Sequence, residues 1–360
     1  MIMTNRMNRN GQHEPGENGE DFGPTNYIHR PSQLVRLDQF LSKLVEDVSV
    51  GEPPPEYRIG DGSWGSLAFR PKEVTCIGGA PNTGKTALML QAVIDTLIQF
   101  PRLRAVVANV EMGEEMLMER QFARLGRVFF GKIRRRERDG FFAEGIARAA
   151  EKLHAIADRL TFVRRPFTIE QIREVCHEHA PDLVCLDYLQ RFRLETFQGD
   201  TKQQIGVIMD HVRAIADGGA AVLLAAALNR QASSRNQSRA SATDDNVSDM
   251  AGFRDGSDIE YSIEDGYVLT KTAGNHVAVA GKSEYTPTKL VLRHVKARND
   301  QTMHIPLLFD GRIQEFTRRP WDESEDDQGP RVATPPRRNP LRSSLNDTFM
   351  EDDNGTVWLS

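Results

Sequence analysis

The chain has 360 residues, 27% of them charged, and a formal net charge of −5 at pH 7. This charge excludes a polycation that binds nucleic acid over its whole surface, so any nucleic-acid site has to be local. No apolar run reaches the roughly 18 residues that cross a bilayer, and the N-terminus lacks the basic-then-apolar pattern of a signal peptide. These features predict a cytoplasmic protein with no membrane partner.

The composition of the two ends predicts one folded domain. Residues 1–31 are polar and rich in Gly, Asn, Glu and Pro, and residues 318–360 are rich in Pro, Arg, Asp, Glu and Ser. Such segments bury too little apolar area to offset the entropy lost on ordering. We therefore expect a disordered N-terminal arm over 1–31, a helix and linker over 32–55, one α/β domain over 56–317, and a disordered acidic C-terminal tail over 318–360.

A short amphipathic helix is predicted ahead of the core. Leu34, Leu37, Leu41 and Leu44 recur at steps of three and four residues, which places them on one stripe of a helix. The sequence leaves open whether this stripe packs on its own domain or docks on a neighbouring subunit. Residues 51–55 are rich in Gly and Pro and are typical of a linker.

A glycine-rich loop follows the first predicted core strand. It lies between the apolar run 74–77 and the helical run 86–98, and reads Gly79-Ala80-Pro81-Asn82-Thr83-Gly84-Lys85-Thr86. In such a loop, backbone N–H groups and the helix N-terminus hold phosphate oxygens. The lysine reaches the β and γ phosphates, and the hydroxyl coordinates magnesium. The loop therefore predicts ATP and Mg²⁺ as ligands, with Lys85 on the phosphates and Thr86 on the metal.

Short apolar strands alternate with helices along the rest of the domain, a pattern typical of a parallel sheet buried on both faces. The predicted strands are 73–78, 105–110, 160–163, 183–187, 221–226, 266–270, 289–295 and 304–309. Thr168 and Gln171 form a capping box for a helix that runs toward His179. Asp310-Gly311 turns the last strand into a C-terminal β-hairpin over 312–316. The expected fold class is α/β, a P-loop NTPase core with a mostly parallel sheet flanked by helices.

Two carboxylates follow predicted strands, where ligands of open parallel sheets bind. Asp187 closes the apolar run 183–186 and is expected to orient the magnesium ion as a Walker B aspartate. Glu111 directly follows the strand 105–110, which we expect to lie beside the phosphate-loop strand, so Glu111 is the candidate base that activates water. The alternative is that Glu111 stabilises the dipole of the helix that begins near Gly113.

Five further motifs follow one another along the chain. They are Asn109-Val110-Glu111-Met112, Asp187-Tyr188-Leu189-Gln190, Leu228-Asn229-Arg230, Phe253-Arg254-Asp255-Gly256-Ser257-Asp258-Ile259-Glu260 and Lys296-Ala297-Arg298-Asn299. In this order they resemble the RecA-like motor domain of DnaB-type replicative hexameric helicases (superfamily 4), over about residues 67–316.

The resemblance implies an ATP-dependent DNA helicase motor of RecA-like fold. Such a motor forms a ring, here a homo-hexamer, and translocates on single-stranded DNA in replication, with a replication initiator, loader or primase as candidate partner. It also implies that Lys296 and Arg298 act as cationic fingers in the nucleotide site of the next subunit, where they stabilise charge as the γ-phosphoryl group leaves. From the residues alone, this pair is equally a solvated strand end.

The chain departs from the family pattern in three places. Ala226 and Ala227 stand where the family usually carries Ser-Gln, whose glutamine senses the γ-phosphate, and Tyr261 and Ser262 replace the usual Gln-Asp. The short arm stands in place of the family's amino-terminal collar domain. Two rival functions therefore stay open: a RecA-like recombination or loading ATPase that does not unwind DNA, and a nucleotide-switched scaffold that does not bind DNA.

Two polar loops are predicted to line the lumen of a ring and track DNA phosphates without reading bases. The first, over 191–203, and the second, over 230–249, carry Arg191, Arg193, Arg230, Arg235 and Arg239. Their alternative is that they are ordinary solvated loops. A further basic run over 132–138 is more typical of a solvated face. The acidic tail is interpreted as a partner-binding hook, a DNA mimic or a solubilising segment.

Overall fold

The computed structural model describes residues 35–53, 55–59, 64, 67–228, 256–272, 285–298 and 302–318, and the backbone of 349–351 and 357–359. The chain divides into two compact units, Met1–Pro54 and Pro55–Ser360. The predicted arm, most of the predicted tail and Arg230, Arg235 and Arg239 lie outside the described residues. Within the tail, strands β12 (Phe349–Glu351) and β13 (Val357–Leu359) pair antiparallel.

The first unit contains the helix that the leucine stripe predicts. A 3₁₀ turn at Leu37–Gln39 leads into α1, Leu41–Val50. Leu37, Leu41 and Leu44 are all exposed. Packing of this stripe on its own domain and docking on a neighbouring subunit both stay open as predictions.

The second unit is built on a nine-stranded sheet in the order β11-β10-β9-β8-β3-β7-β6-β4-β5. The strands from β8 to β5 run parallel, and β9, β10 and β11 are antiparallel. A small separate sheet pairs β1 (Tyr57–Arg58) with β2 (Ala68–Phe69). The bounds of the large sheet are β3 Val74–Gly79, β4 Ala105–Asn109, β5 Leu160–Phe162, β6 Leu183–Asp187, β7 Ala221–Ala227, β8 Asp265–Lys271, β9 Thr288–Ala297, β10 His304–Asp310 and β11 Glu315–Arg318.

Helices cover both faces of this sheet, as the continuous apolar strands predict. Alternate residues of one strand enter different cores: Ala105 and Val107 pack on the face of α2, and Val106 and Ala108 on the face of α6 and α7. The expected α/β class, a RecA-like core with a mostly parallel sheet and a C-terminal hairpin, is confirmed. The helices are α2 Lys85–Gln99, α3 Glu114–Gly126, α4 Phe130–Arg135, α5 Gly140–His154, α6 Ile169–His179, α7 Thr201–Asp217 and α8 Gly256–Ser262.

Two details of the predicted elements were wrong. The last strand was expected over 312–316, but residues 311–314 form a turn that includes Gln314 at a φ of 60°, so the strand begins at Glu315. Thr168 does cap α6 by accepting a hydrogen bond from the Gln171 N–H. The return bond of a capping box is missing, because Gln171 Oε1 is buried without a partner among the described residues.

In the described part of the chain, each helix is either too short or too polar to span a bilayer.

Helices α3 and α5 approach each other through two glycines. A Cβ added to Gly126 would lie 2.4 Å from Gly145 O, and one added to Gly145 would lie 2.3 Å from Val128 Cγ2 and 2.7 Å from Gly126 O. Neither position leaves room for a methyl group beside the neighbouring backbone. This contact fixes α3, the helix that follows Glu111 in the chain.

We expect Gly145→Ala to lower the free energy of unfolding by about 1–3 kcal/mol, because the methyl group overpacks a backbone contact. Denaturant unfolding followed by circular dichroism measures the change. The matched control is Gly140→Ala at the start of the same helix, where an added Cβ meets nothing within 4 Å. That variant should be unchanged or gain up to about 1 kcal/mol, and equal losses in the two variants would contradict the packing argument.

Candidate functional site

The predicted phosphate loop connects β3 to α2. Gly84 precedes the helix with a φ of 95°, a left-handed conformation that favours glycine. A Cβ there would also lie 2.8 Å from Cζ of Phe316 on β11. Gln91 of α2 fixes this strand, since its amide donates to Phe316 O (2.9 Å) and accepts from Phe316 N (2.8 Å). The hairpin therefore packs directly against the loop.

Lys85 lies inside this loop. Its Nζ donates to Gly79 O at 2.8 Å and to Ala80 O at 3.1 Å, which leaves one ammonium proton available. Burial lowers the pKa of Lys85, while the charges of Asp187 and Glu111 oppose this shift. Both carboxylates that the sequence singles out therefore lie near enough to interact electrostatically with this ammonium group.

Asp187 ends β6 beside the first turn of α2. Thr86 Oγ1 donates to Asp187 Oδ2 at 2.5 Å, and Asn109 Nδ2 donates to the same oxygen at 2.7 Å. The side chain is almost completely buried, and this burial raises the pKa of Asp187. Hydroxyl and carboxylate oxygens side by side fit a hard cation such as Mg²⁺, which binds oxygen ligands.

Glu111 was expected on a strand beside the phosphate-loop strand, and this expectation was wrong. β7 and β6 lie between β3 and β4, because the chain adds both later and inserts them at the centre of the sheet. Glu111 nevertheless lies near enough to interact electrostatically with both Lys85 and Asp187. Its carboxylate is exposed, and the acids in the first turn of α3 are Glu114 and Glu115.

Sequence reasoning missed Asn109 as a connecting residue. Asn109 Oδ1 accepts hydrogen bonds from the backbone N–H groups of Glu111 (3.0 Å) and Met112 (2.8 Å), while its amide donates to Asp187. The side chain therefore holds the turn that carries Glu111 against the strand that carries Asp187. A polar residue at the end of an apolar strand was the available signal.

Arg120, on α3, was also missed. Burial lowers the pKa of its guanidinium, and the charge of Asp187 raises it again, so the two groups lie close enough to interact. Arg120 Nε is buried and has no hydrogen-bond partner in the described part of the chain. No local pattern marks this residue, because its approach to Asp187 depends on how α3 packs.

Lys296 and Arg298 lie together at the end of β9, as their spacing predicts, but on the edge of the sheet opposite the phosphate loop. β9 runs antiparallel to β8, and Ala297 pairs with Asp265, where the parallel strands begin. Lys296 Nζ donates to Ile263 O at 2.7 Å and also to Glu260 O. Arg298 Nη1 donates to Glu264 Oε1 at 2.7 Å. The length of β3, about 16 Å, separates these cations from their own phosphate loop.

Gln190 lies at the end of β7, where Ala226 and Ala227 depart from the family pattern. Its Oε1 accepts a hydrogen bond from the Ala227 N–H at 2.9 Å. Its Nε2 is buried with no partner among the residues that the structure describes. An amide from the segment after β6 therefore fills part of the space beside Ala227.

Of the predicted DNA-contacting arginines, Arg191 and Arg193 are described, and both are exposed after β6. Arg191 Nε donates to the Tyr188 hydroxyl at 2.9 Å. The basic run over 132–138 is instead largely neutralised by ion pairs, as expected of a solvated face. These pairs are Lys132–Asp139, Arg134–Glu119, Arg135–Glu137 and Arg136–Glu119.

Comparison with known proteins gives a family and a fold. The model of the family described as DnaB-like helicase C terminal domain matches residues 66–318. A DnaB-like replicative helicase, whose structure was determined with its interactions with primase, is 16% identical with a TM-score of 0.62, covering 79% of this chain and 67% of that one. A second solved structure, an ATPase domain on its own, is also 16% identical with a TM-score of 0.62, covering 78% of this chain and 98% of that one.

No curated protein sequence matches the chain significantly. At 16% identity the two solved structures show the fold alone, whereas the family model extends over well more than half of the sequence. The chain therefore belongs to the DnaB-like helicase family and is an ATP-hydrolysing helicase with a RecA-like core.

Proposed function

We propose that this chain is the motor of a ring-shaped homo-hexamer that hydrolyses ATP to translocate on single-stranded DNA and unwind duplex during replication. One observation carries the proposal: Lys85 and Asp187 lie at one edge of the sheet, and Lys296 and Arg298 at the other. Cations held that far from their own phosphate loop serve a nucleotide site only on another copy. Head-to-tail contacts of this kind give a ring when the rotation from one copy to the next closes, and we propose the ring here.

The proposed site divides its roles among side chains from two subunits. The loop Gly79 to Gly84 and Lys85 hold the phosphates of ATP, and Thr86 and Asp187 hold Mg²⁺. Mg²⁺ held there would neutralise the negative charge that develops on the phosphates. Glu111 orients the attacking water and accepts its proton.

Four further side chains complete the proposed chemistry. Asn109 positions Glu111 against the metal ligand, and Arg120 adds a half-buried positive charge that interacts electrostatically with Asp187. Lys296 and Arg298 arrive from the neighbouring subunit and stabilise the transition-state charge.

For DNA binding we propose two loops. Residues 191–203 carry Arg191 and Arg193, and residues 230–249 carry Arg230, Arg235 and Arg239. Arginines that emerge next to the nucleotide-binding edge can follow phosphates without reading bases. We assign the motor to residues 56–317 and the linker to residues 32–55. We also propose a replication initiator, loader or primase as the partner protein and the cytoplasm as the location.

We expect Glu111→Gln to lower kcat for ATP by about 10²–10⁴-fold, because the amide accepts no proton from water. Nucleotide affinity, measured with a fluorescent ATP analogue, should stay near that of the wild type. Lys85→Ala should abolish hydrolysis through loss of its phosphate contact. Glu115→Gln, an exposed acid in the first turn of α3, is the matched control and should turn over normally. An active Glu111→Gln variant would remove Glu111 as the base.

We expect the double variant Arg191→Ala with Arg193→Ala to weaken single-stranded DNA binding. If both residues contact phosphates, the slope of log affinity against log salt should fall by about 1.4, at about 0.7 for each lost contact. Arg135→Ala, which removes an exposed cation already paired with Glu137, should leave the slope unchanged. Equal slopes for the double variant and the wild type would argue against a DNA-contacting loop.

The function as a whole is tested by particle mass and strand displacement with Mg²⁺, ATP and oligonucleotide. We expect a six-chain particle that displaces a strand and whose ATP turnover rises with single-stranded DNA. Filaments on DNA without displacement would indicate the recombination or loading ATPase. Turnover that ignores DNA would indicate the scaffold. A particle that stays monomeric under all these conditions would overturn the proposal.

A further inference from the structure

A single buried carboxylate connects Arg298 to the strand that leads into the phosphate loop. Glu264, which immediately precedes β8, is 6% exposed. Its Oε1 accepts from Arg298 Nη1 at 2.7 Å, and its Oε2 accepts from the Val74 N–H at 2.8 Å and from Arg213 Nη1 at 2.7 Å. Both oxygens of the carboxylate are therefore used, one of them by Arg298 alone.

The main chain of Glu264 strengthens this connection. The Glu264 N–H donates to Val74 O, and the Arg298 N–H donates to Glu264 O, each at 3.0 Å. Val74 is the first residue of β3 and Gly79 is the last. Arg298 is thus tied to one end of the strand whose other end opens the phosphate loop.

Arg298 depends on Glu264 more than Lys296 does. Apart from the Glu264 contact, the Arg298 guanidinium is half exposed and has a longer hydrogen bond of 3.4 Å to Tyr261 O. An exposed arginine loses considerable rotamer entropy when it is fixed, and a hydrogen bond between charged groups offsets that loss. Lys296 is instead held by the carbonyls of Glu260 and Ile263.

We propose that Glu264 is a positioning residue that holds Arg298 in the orientation in which it is presented to the neighbouring nucleotide site. The inference rests on the proposed function, in which Arg298 acts between subunits. Through Glu264, the cation presented to the next subunit is hydrogen-bonded to the strand that leads into the phosphate loop of its own subunit.

Glu264→Gln separates this role from general stability. The amide has one acceptor oxygen, and the donors from Val74 and Arg213 hold that oxygen on their side. The NH₂ group therefore faces the Arg298 guanidinium, to which it offers no acceptor. We expect kcat to fall about 10- to 100-fold, the range for one lost hydrogen bond to a charged group, with the KM for ATP almost unchanged. Glu264→Asp keeps both acceptors and should recover part of the loss.

Arg213→Gln is the matched control. It removes a different partner of the same carboxylate and leaves the Arg298 contact in place. We expect it to keep wild-type turnover even if its melting temperature falls as far as that of Glu264→Gln. Equal losses of kcat in these two variants would show a merely structural role for Glu264.

Mixed rings provide the decisive test. Lys85→Ala subunits lack a working phosphate loop but present Arg298, whereas Glu264→Gln subunits have the loop but present Arg298 poorly. The two variants are co-expressed at equal levels. At about a quarter of the interfaces of a closed ring, the intact phosphate loop of a Glu264→Gln subunit then meets the well-positioned Arg298 of a Lys85→Ala subunit. We expect turnover to recover toward that fraction of the wild-type rate. Co-expression of Arg298→Ala with Lys85→Ala is the reference.

The outcomes distinguish the two proposals. Recovery in both mixtures supports Glu264 as the positioning residue. Recovery with Arg298→Ala but not with Glu264→Gln overturns the role of Glu264 and leaves the shared site intact. No recovery in either mixture overturns the shared site, and the role of Glu264 with it. Wild-type turnover by Glu264→Gln alone also overturns the inference.

Discussion

The buried carboxylate of Asp187 constrains the geometry of the candidate site. A carboxylate that is 4% exposed must take its hydrogen bonds from protein groups, and here these come from Thr86 on α2 and Asn109 on β4. The two bonds fix α2, β6 and β4 relative to one another at one edge of the sheet. Asn109 also holds the turn at Glu111, so one hydrogen-bond network places the candidate metal ligands, the phosphate loop and the candidate base.

The direction of β9 decides where Lys296 and Arg298 lie. The parallel strands all bring their carboxyl ends to the edge that carries the phosphate loop, but β9 reverses, so its carboxyl end reaches the opposite edge. This reversal is why the proposed catalytic site needs two copies of the chain. Glu264 joins the two edges through β3, because it bonds to the residue at which that strand begins.

The sequence predicted the features that a local pattern encodes. The strand, glycine-rich loop and helix around Lys85 were found together, the strand that ends at Asp187 has the predicted bounds, and Thr168 caps α6. Contacts between distant segments were not predictable in this way. β7 and β6 lie between β3 and β4, so the predicted position of the strand before Glu111 in the sheet was wrong. Arg120 interacts electrostatically with Asp187 only because of how α3 packs. Glu264 and Val74, 190 residues apart, share no pattern that a sequence window contains.

The contact between the C-terminal hairpin and Gly84 has a consequence for how the motor can be divided. Phe316 lies against Gly84, which precedes α2, stacks on Phe309 at 4.5 Å between ring centroids, and is hydrogen-bonded to Gln91 of α2. The C-terminal hairpin therefore supports the phosphate loop from one side. A fragment that stops before this strand would retain every residue of the glycine-rich motif but lose the surface against which Gly84 packs. The smallest fragment that keeps the shape of the phosphate loop therefore extends beyond Phe316.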